Sequence, residues 1–75
     1  MDILIYSKTN CNFCVKAKNL LNIKNLKFTE KVLDKDFTKE QLLEILPNVK
    51  TLPQIQINGK HIGGYRELKS YLNTN

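Results

Sequence analysis

Residues 10–21, NCNFCVKAKNLL, place two cysteines three positions apart, directly ahead of an apolar repeat at helical spacing. Cys14, Ala17 and Leu21 recur at i, i+3 and i+7, with Phe13 and Leu20 flanking the stripe and Lys16, Lys18, Asn19 and Asn22 largely off it. This pattern predicts an amphipathic helix over about 12 to 23. Upstream, DILIY (2–6) reads as a short buried strand, broken by the polar SKTN (7–10). A strand ending near Tyr6 and a helix starting near Asn12 put Cys11 at the helix entrance. Unpaired backbone N–H groups and the positive end of the macrodipole favour an anion there.

A thiolate is such an anion, and a helix N-terminus lowers a cysteine pKa from about 8.5 to somewhere between roughly 3.5 and 7.5. Lys8, three residues upstream, adds a positive charge. Cys11 is therefore the expected nucleophile, and Cys14, one turn into the helix and further from solvent, suits the resolving role. Two other readings of the C-x-x-C pair compete with this one. Half of a zinc site is opposed by ligand supply, since the chain has no further cysteine and a single histidine, His61. Two inert core cysteines are the other alternative. The redox reading asks for a strand, then C-x-x-C, then a helix in an α/β setting, which this chain offers.

The remaining elements follow from periodicity and punctuation. LKFTEKVL (26–33) alternates near period two and reads as a second strand with one wetter face. Thr38 and Gln41 form a capping-box pattern ahead of Leu42, Leu43, Ile45 and Leu46, so a second helix is expected over about 38 to 46, stopped by Pro47 and Asn48. QIQI (54–57), a turn at NGK and HIGG (61–64) read as a hairpin. Tyr65, Leu68 and Leu72 predict a last helix running up to the polar tail NTN (73–75). The order is strand, helix, strand, helix, strand, strand, helix. The first two strands should be parallel through a right-handed crossover and the last two antiparallel. The expected class is α/β, a four-stranded mixed sheet with three helices on its faces.

The 75-residue length allows one domain, 1–75, near the size at which a single core barely outweighs chain entropy. With 41% hydrophobic and 25% charged residues the composition is that of an ordinary globular domain, and no window has the apolar length of a membrane span. The opening MDILIYSK lacks the basic region and long apolar stretch of a secretory signal, so a cytoplasmic protein is expected. Two cysteines this close cannot staple distant parts of a fold. The formal net charge of +5 would attract anions, but the basic residues are not interleaved with exposed aromatics, so no nucleic-acid partner is expected.

The whole chain resembles a small dithiol glutaredoxin of the thioredoxin-fold superfamily. The matching blocks are YSKTNCNFC (6–14), KTLPQIQINGKHIGG (50–64) and YREL (65–68). The resemblance implies a thioredoxin-like fold and a glutathione-dependent thiol–disulfide oxidoreductase that reduces protein disulfides and glutathione mixed disulfides, with Cys11 as nucleophile and Cys14 as resolving thiol. It makes Pro53 a cis-proline facing Cys11, leaving the N–H and C=O of Leu52 to pair with a peptide backbone. It places Lys8 and Lys50 near glutathione's glycine carboxylate, Phe13 at the active-site aromatic, and Thr51 beside the site. Gly63 and Gly64 permit close approach and feed the N-terminus of the last helix, which receives the other carboxylate. Tyr65 and Arg66 follow on the same binding stretch.

Two positions depart from the family pattern. Asn12 stands where a proline often follows the first cysteine, and Arg66 stands where Asp, Ser or Thr is usual, with Glu67 as its neighbour. Asn12 motivates an alternative function, a glutathione-ligated [2Fe-2S] cluster carrier or sensor dimer. The leading expectation is a monomer with glutathione as reductant and disulfide-bearing or glutathionylated proteins as partners, ribonucleotide reductase among them by resemblance.

Overall fold

The computed structural model describes residues 1–73. Its elements run β1 (Ile3–Ser7), α1 (Asn12–Ile23), β2 (Thr29–Val32), α2 (Lys39–Ile45), β3 (Gln54–Ile57), β4 (Lys60–Gly63) and α3 (Tyr65–Asn73). The strands form one sheet in the order β2-β1-β3-β4. β1 pairs with β2 in parallel and with β3 antiparallel, and β3 pairs antiparallel with β4. The element order and strand directions agree with the sequence reading, and the arrangement is thioredoxin-like. Among the described residues no helix is long and apolar enough to cross a membrane.

Alternation along β1 sorts its side chains onto two faces. Ile3 and Ile5 face α1 and α3, in a core completed by Ala17, Leu21, Ile55, Ile57 and Leu68. On the opposite face Tyr6 packs with Phe37, Leu42 and Leu46 under α2, the Tyr6 and Phe37 rings meeting edge to face at 5.2 Å. The start of α2 is held by the expected capping box: Gln41 N–H donates to Thr38 Oγ1 (3.2 Å), and Thr38 N–H donates to Gln41 Oε1 (2.9 Å). The hairpin turns on Asn58 (φ 54°) and Gly59 (φ 79°), the pair of positive φ values a type I′ turn requires.

The second strand is shorter than the predicted 26–33. Lys24 caps α1, and Asn25 then takes a left-handed conformation (φ 58°). Asn25 N–H donates to Asn22 C=O (3.0 Å) and Leu26 N–H to Leu21 C=O (2.9 Å). These are the two bonds of a Schellman motif, in which an apolar residue just past the helix end packs back on the last turn. Leu26 and Phe28 therefore lie against the α1 core rather than alternating along a strand. Smaller shifts occur elsewhere. β1 includes Ser7, β4 begins one residue early at Lys60, and α3 takes in Asn73, the first residue of the expected tail. The other two tail residues, 74 and 75, lie outside the described residues.

Candidate active site

Three chain segments converge at one end of the sheet. In the first, Asn10 adopts φ 54°, a conformation asparagine tolerates better than most residues, and turns the chain into α1. Cys11 is the N-cap, in extended conformation, and its Sγ accepts the Cys14 N–H at 3.2 Å. One orphan amide of the helix start is thus aimed at this sulfur, as the sequence predicts. Cys11 and Cys14 are joined by a disulfide, their Cα atoms 5.2 Å apart, within the usual range for such a bridge. Cys11 is 9% exposed and Cys14 1%, so only one sulfur of the pair presents itself to a reactant.

The second segment is the loop ahead of β3. The Leu52–Pro53 peptide is cis, and the Leu52 carbonyl oxygen lies 3.6 Å from Cys11 Sγ. Gln54, buried at the start of β3, braces this loop: its Nε2 donates to Thr51 C=O (2.9 Å) while its Oε1 meets His61 Nε2 at 2.7 Å. His61 is thus a hydrogen-bonded residue of the edge strand.

The third segment is the entry to α3. Gly64 N–H donates to Glu67 Oε1 (2.9 Å), and Leu68 N–H donates to Gly64 C=O (3.0 Å). Gly63 has φ 129°, and a Cβ there would stand 2.6 Å from Glu67 Cγ. A Cβ at Gly64 would stand 3.3 Å from the Pro53 carbonyl oxygen, so α3 begins tight against the loop that faces Cys11.

Between these segments lies an open cavity of about 580 Å³. Of the residues singled out from sequence, Lys8, Cys11, Phe13, Lys50, Thr51, Leu52, Pro53, Gly64, Tyr65 and Arg66 all line it. Cys14 and Gly63 do not: the first is sealed beneath Cys11, and the second sits behind Gly64 against Glu67. Phe13 is 53% exposed rather than packed into the core, its ring 5.9 Å from that of Tyr65 and 5.2 Å from the Lys16 ammonium. The cavity also takes in Asn10, Asn12 and Glu67. Asn10 was not legible as a site residue, because its left-handed turn follows from the loop's path rather than from any motif. The lining carries three cationic side chains, Lys8, Lys50 and Arg66, and one carboxylate, Glu67.

A polar network lies at the end of β1, just before Lys8. The buried Ser7 Oγ donates to Glu30 Oε2 (2.6 Å), and Lys18 Nζ pairs with the same oxygen (2.9 Å). The Ser7 hydrogen bond and then that of Lys18 hold the Glu30 carboxyl below its ordinary pKa. The network ties β1, β2 and α1 together. Among the described residues no three His, Cys, Asp or Glu side chains gather as a metal site.

A thioredoxin-like sheet with a helix-capping C-x-x-C pair opposite a cis-proline defines a dithiol redox protein. A family model for glutaredoxin matches residues 3–62. Glutaredoxin 3 of Escherichia coli K12 is 36% identical over 67 residues, covering 89% of this chain and 81% of the relative. The hybrid peroxiredoxin hyPrx5 of Haemophilus influenzae is 44% identical over 70 residues, 93% of this chain. This chain spans 29% of that hybrid protein's length and 63% of two further relatives. Among solved structures, glutaredoxin 1 of Francisella tularensis, complexed with cacodylate, superposes with a TM-score of 0.84 at 29% identity, covering 96% of this chain and 92% of that one. A buckwheat glutaredoxin–glutathione complex superposes at 0.81 with 27% identity, covering 93% and 66%. The chain belongs to the glutaredoxin family, and Cys11 and Cys14 are its disulfide-forming pair.

Proposed function

We propose that the protein reduces protein disulfides and glutathione mixed disulfides with glutathione as its reductant. The observation that carries this reading is the charge pattern beside Cys11: three cations and one carboxylate line the cavity that Cys11 borders. Glutathione carries two carboxylates and one ammonium, so its charges complement the predominantly cationic lining in sign, with Glu67 opposite in charge to the ammonium. The match in fold to a glutaredoxin solved with glutathione supports the same ligand.

In the reduced protein the Cys14 N–H and the α1 dipole favour the thiolate of Cys11. That thiolate attacks one sulfur of the substrate disulfide, forming a mixed disulfide and expelling the other sulfur as a thiolate, which takes up a proton. With a protein disulfide, Cys14 then attacks Cys11 Sγ, releasing the second substrate thiol and forming the Cys11–Cys14 bridge. Two glutathione molecules return the bridge to the dithiol and leave as glutathione disulfide. With a glutathionylated substrate, Cys11 takes the glutathione sulfur, the protein thiol leaves, and a second glutathione thiolate frees Cys11. Leu52, whose N–H has no protein partner among the described residues, offers the tripeptide backbone a strand-like edge.

The test is turnover of a glutathionylated peptide coupled to glutathione reductase. Lys8→Glu should raise the glutathione concentration needed for half-maximal rate several-fold. Equal rates with glutathione and 2-mercaptoethanol, unaffected by Lys8→Glu, would overturn the reading. The cluster-carrier alternative has less support: each chain would supply Cys11 alone, with every other ligand from outside it. Anaerobic reconstitution yielding a coloured dimer that requires Cys11 and glutathione would favour it.

A further inference from the structure

We propose that the protein disulfides reduced at Cys11 lie in acidic segments bearing an aliphatic side chain near the target cysteine, and that this side chain seats in a second cleft beside the active site. The proposal rests on the exchange chemistry argued above and names its substrate class. The cleft, about 350 Å³, lies between α2 and the loop leading to Pro53. Leu33, Leu42, Leu43, Val49 and Leu52 supply its apolar surface. Lys8, Lys39 and Lys50 stand around it, and no acidic residue lines it. An apolar floor under a basic rim is complementary to an acidic chain with one aliphatic anchor.

The cleft is continuous with the Cys11 cavity, because Lys8, Lys50, Thr51 and Leu52 line both. The Leu52 carbonyl stands 3.6 Å from Cys11 Sγ, so an extended segment pairing with the Leu52 backbone passes from the sulfur into the cleft. A tripeptide finds its charges matched in the first cavity, whereas a protein segment continues beyond it. The part of the second cleft beyond the shared residues, lined by Leu33, Lys39, Leu42, Leu43 and Val49, therefore sorts protein substrates. Two other occupants fit worse. A second copy meeting through this face would bring two sets of three ammonium groups together, and a nucleic acid would find no aromatic ring on which to stack.

The test uses synthetic peptides that share one intramolecular disulfide. In one, Glu residues and a Leu flank the target cysteine; in the second, Lys replaces Glu; in the third, Gly replaces Leu. The Glu–Leu peptide should be reduced with a kcat/KM about tenfold above either comparison peptide, and the Glu-over-Lys preference should shrink in high salt. Lys39 lines only the second cleft. Lys39→Glu should lower kcat/KM for the Glu–Leu peptide several-fold and leave reduction of the cysteine–glutathione mixed disulfide unchanged. Equal rates for the three peptides, with that small disulfide still turned over, overturn the proposal and leave the oxidoreductase reading intact. Failure to reduce the small disulfide as well overturns both. A concentration-dependent dimer that Lys39→Glu alters would assign the cleft to a second copy and overturn the proposal.

Discussion

The two faces of the sheet are covered very differently. Under α1 and α3 the buried side chains are 0–2% exposed, whereas under α2 they are 4–8% exposed. The helix lengths account for this: α1 has 12 residues with three of them buried, and α2 has seven with Leu42 alone buried. The tightly covered face anchors α1 from Cys14 to Leu21 and so holds the N-cap sulfur in place. The loosely covered face leaves the apolar cleft open next to that sulfur. Rigidity under the nucleophile and room for a substrate are thus assigned to opposite sides of one thin sheet.

The comparison can be broken most easily by deleting core volume. Leu21→Ala on the sealed face should cost about 2–5 kcal/mol, a large share of the total for so small a domain. Leu42→Ala, beside an existing cleft, should cost measurably less. Urea denaturation of the two variants checks the order, and equal losses would remove the distinction between the faces. At the junction of the site, Gly63→Ala pushes a methyl into Glu67 at a left-handed φ and should cost about 1–3 kcal/mol. The same variant should weaken glutathione binding, because Glu67 is displaced from Gly64 N–H.

The smallest effect concerns acid. The folded-state pKa of Glu30 is depressed, so its contribution is fully present above the ordinary glutamate pKa and is lost as pH falls through the lower folded value. Glu30→Gln should therefore lower stability modestly near neutrality, with a flatter acid profile, so that the gap from the unaltered protein narrows as pH falls. Thermal melts of both proteins across the acid range check the sign, and a steeper acid loss in the variant would contradict it.

Local signals account for what was legible in the sequence. The stripe after Cys14, the Thr38–Gln41 box and the Asn58–Gly59 turn each act over a few residues, and all three form as expected. The strand expected over 26–33 starts only at Thr29, because the left-handed Asn25 does after α1 what glycine more often does and turns Leu26 back onto the helix, while the spacing of Leu26 and Phe28 mimics strand alternation. Most of the cavity lining followed from motif blocks. The Gln54–His61 brace and the Ser7–Glu30–Lys18 network did not, since they join residues that only the assembled sheet brings together. The second cleft was equally invisible, as Leu33, Leu43 and Val49 look like ordinary core residues until α2 proves too short to cover them.

The account turns on unequal roles for two adjacent sulfurs, and turnover of a glutathionylated peptide by Cys11→Ser and Cys14→Ser proteins tests this most directly. Cys11→Ser should fall to the uncatalysed background, while Cys14→Ser should retain substantial turnover through glutathione alone. An active Cys11→Ser protein beside an inactive Cys14→Ser protein would contradict the account.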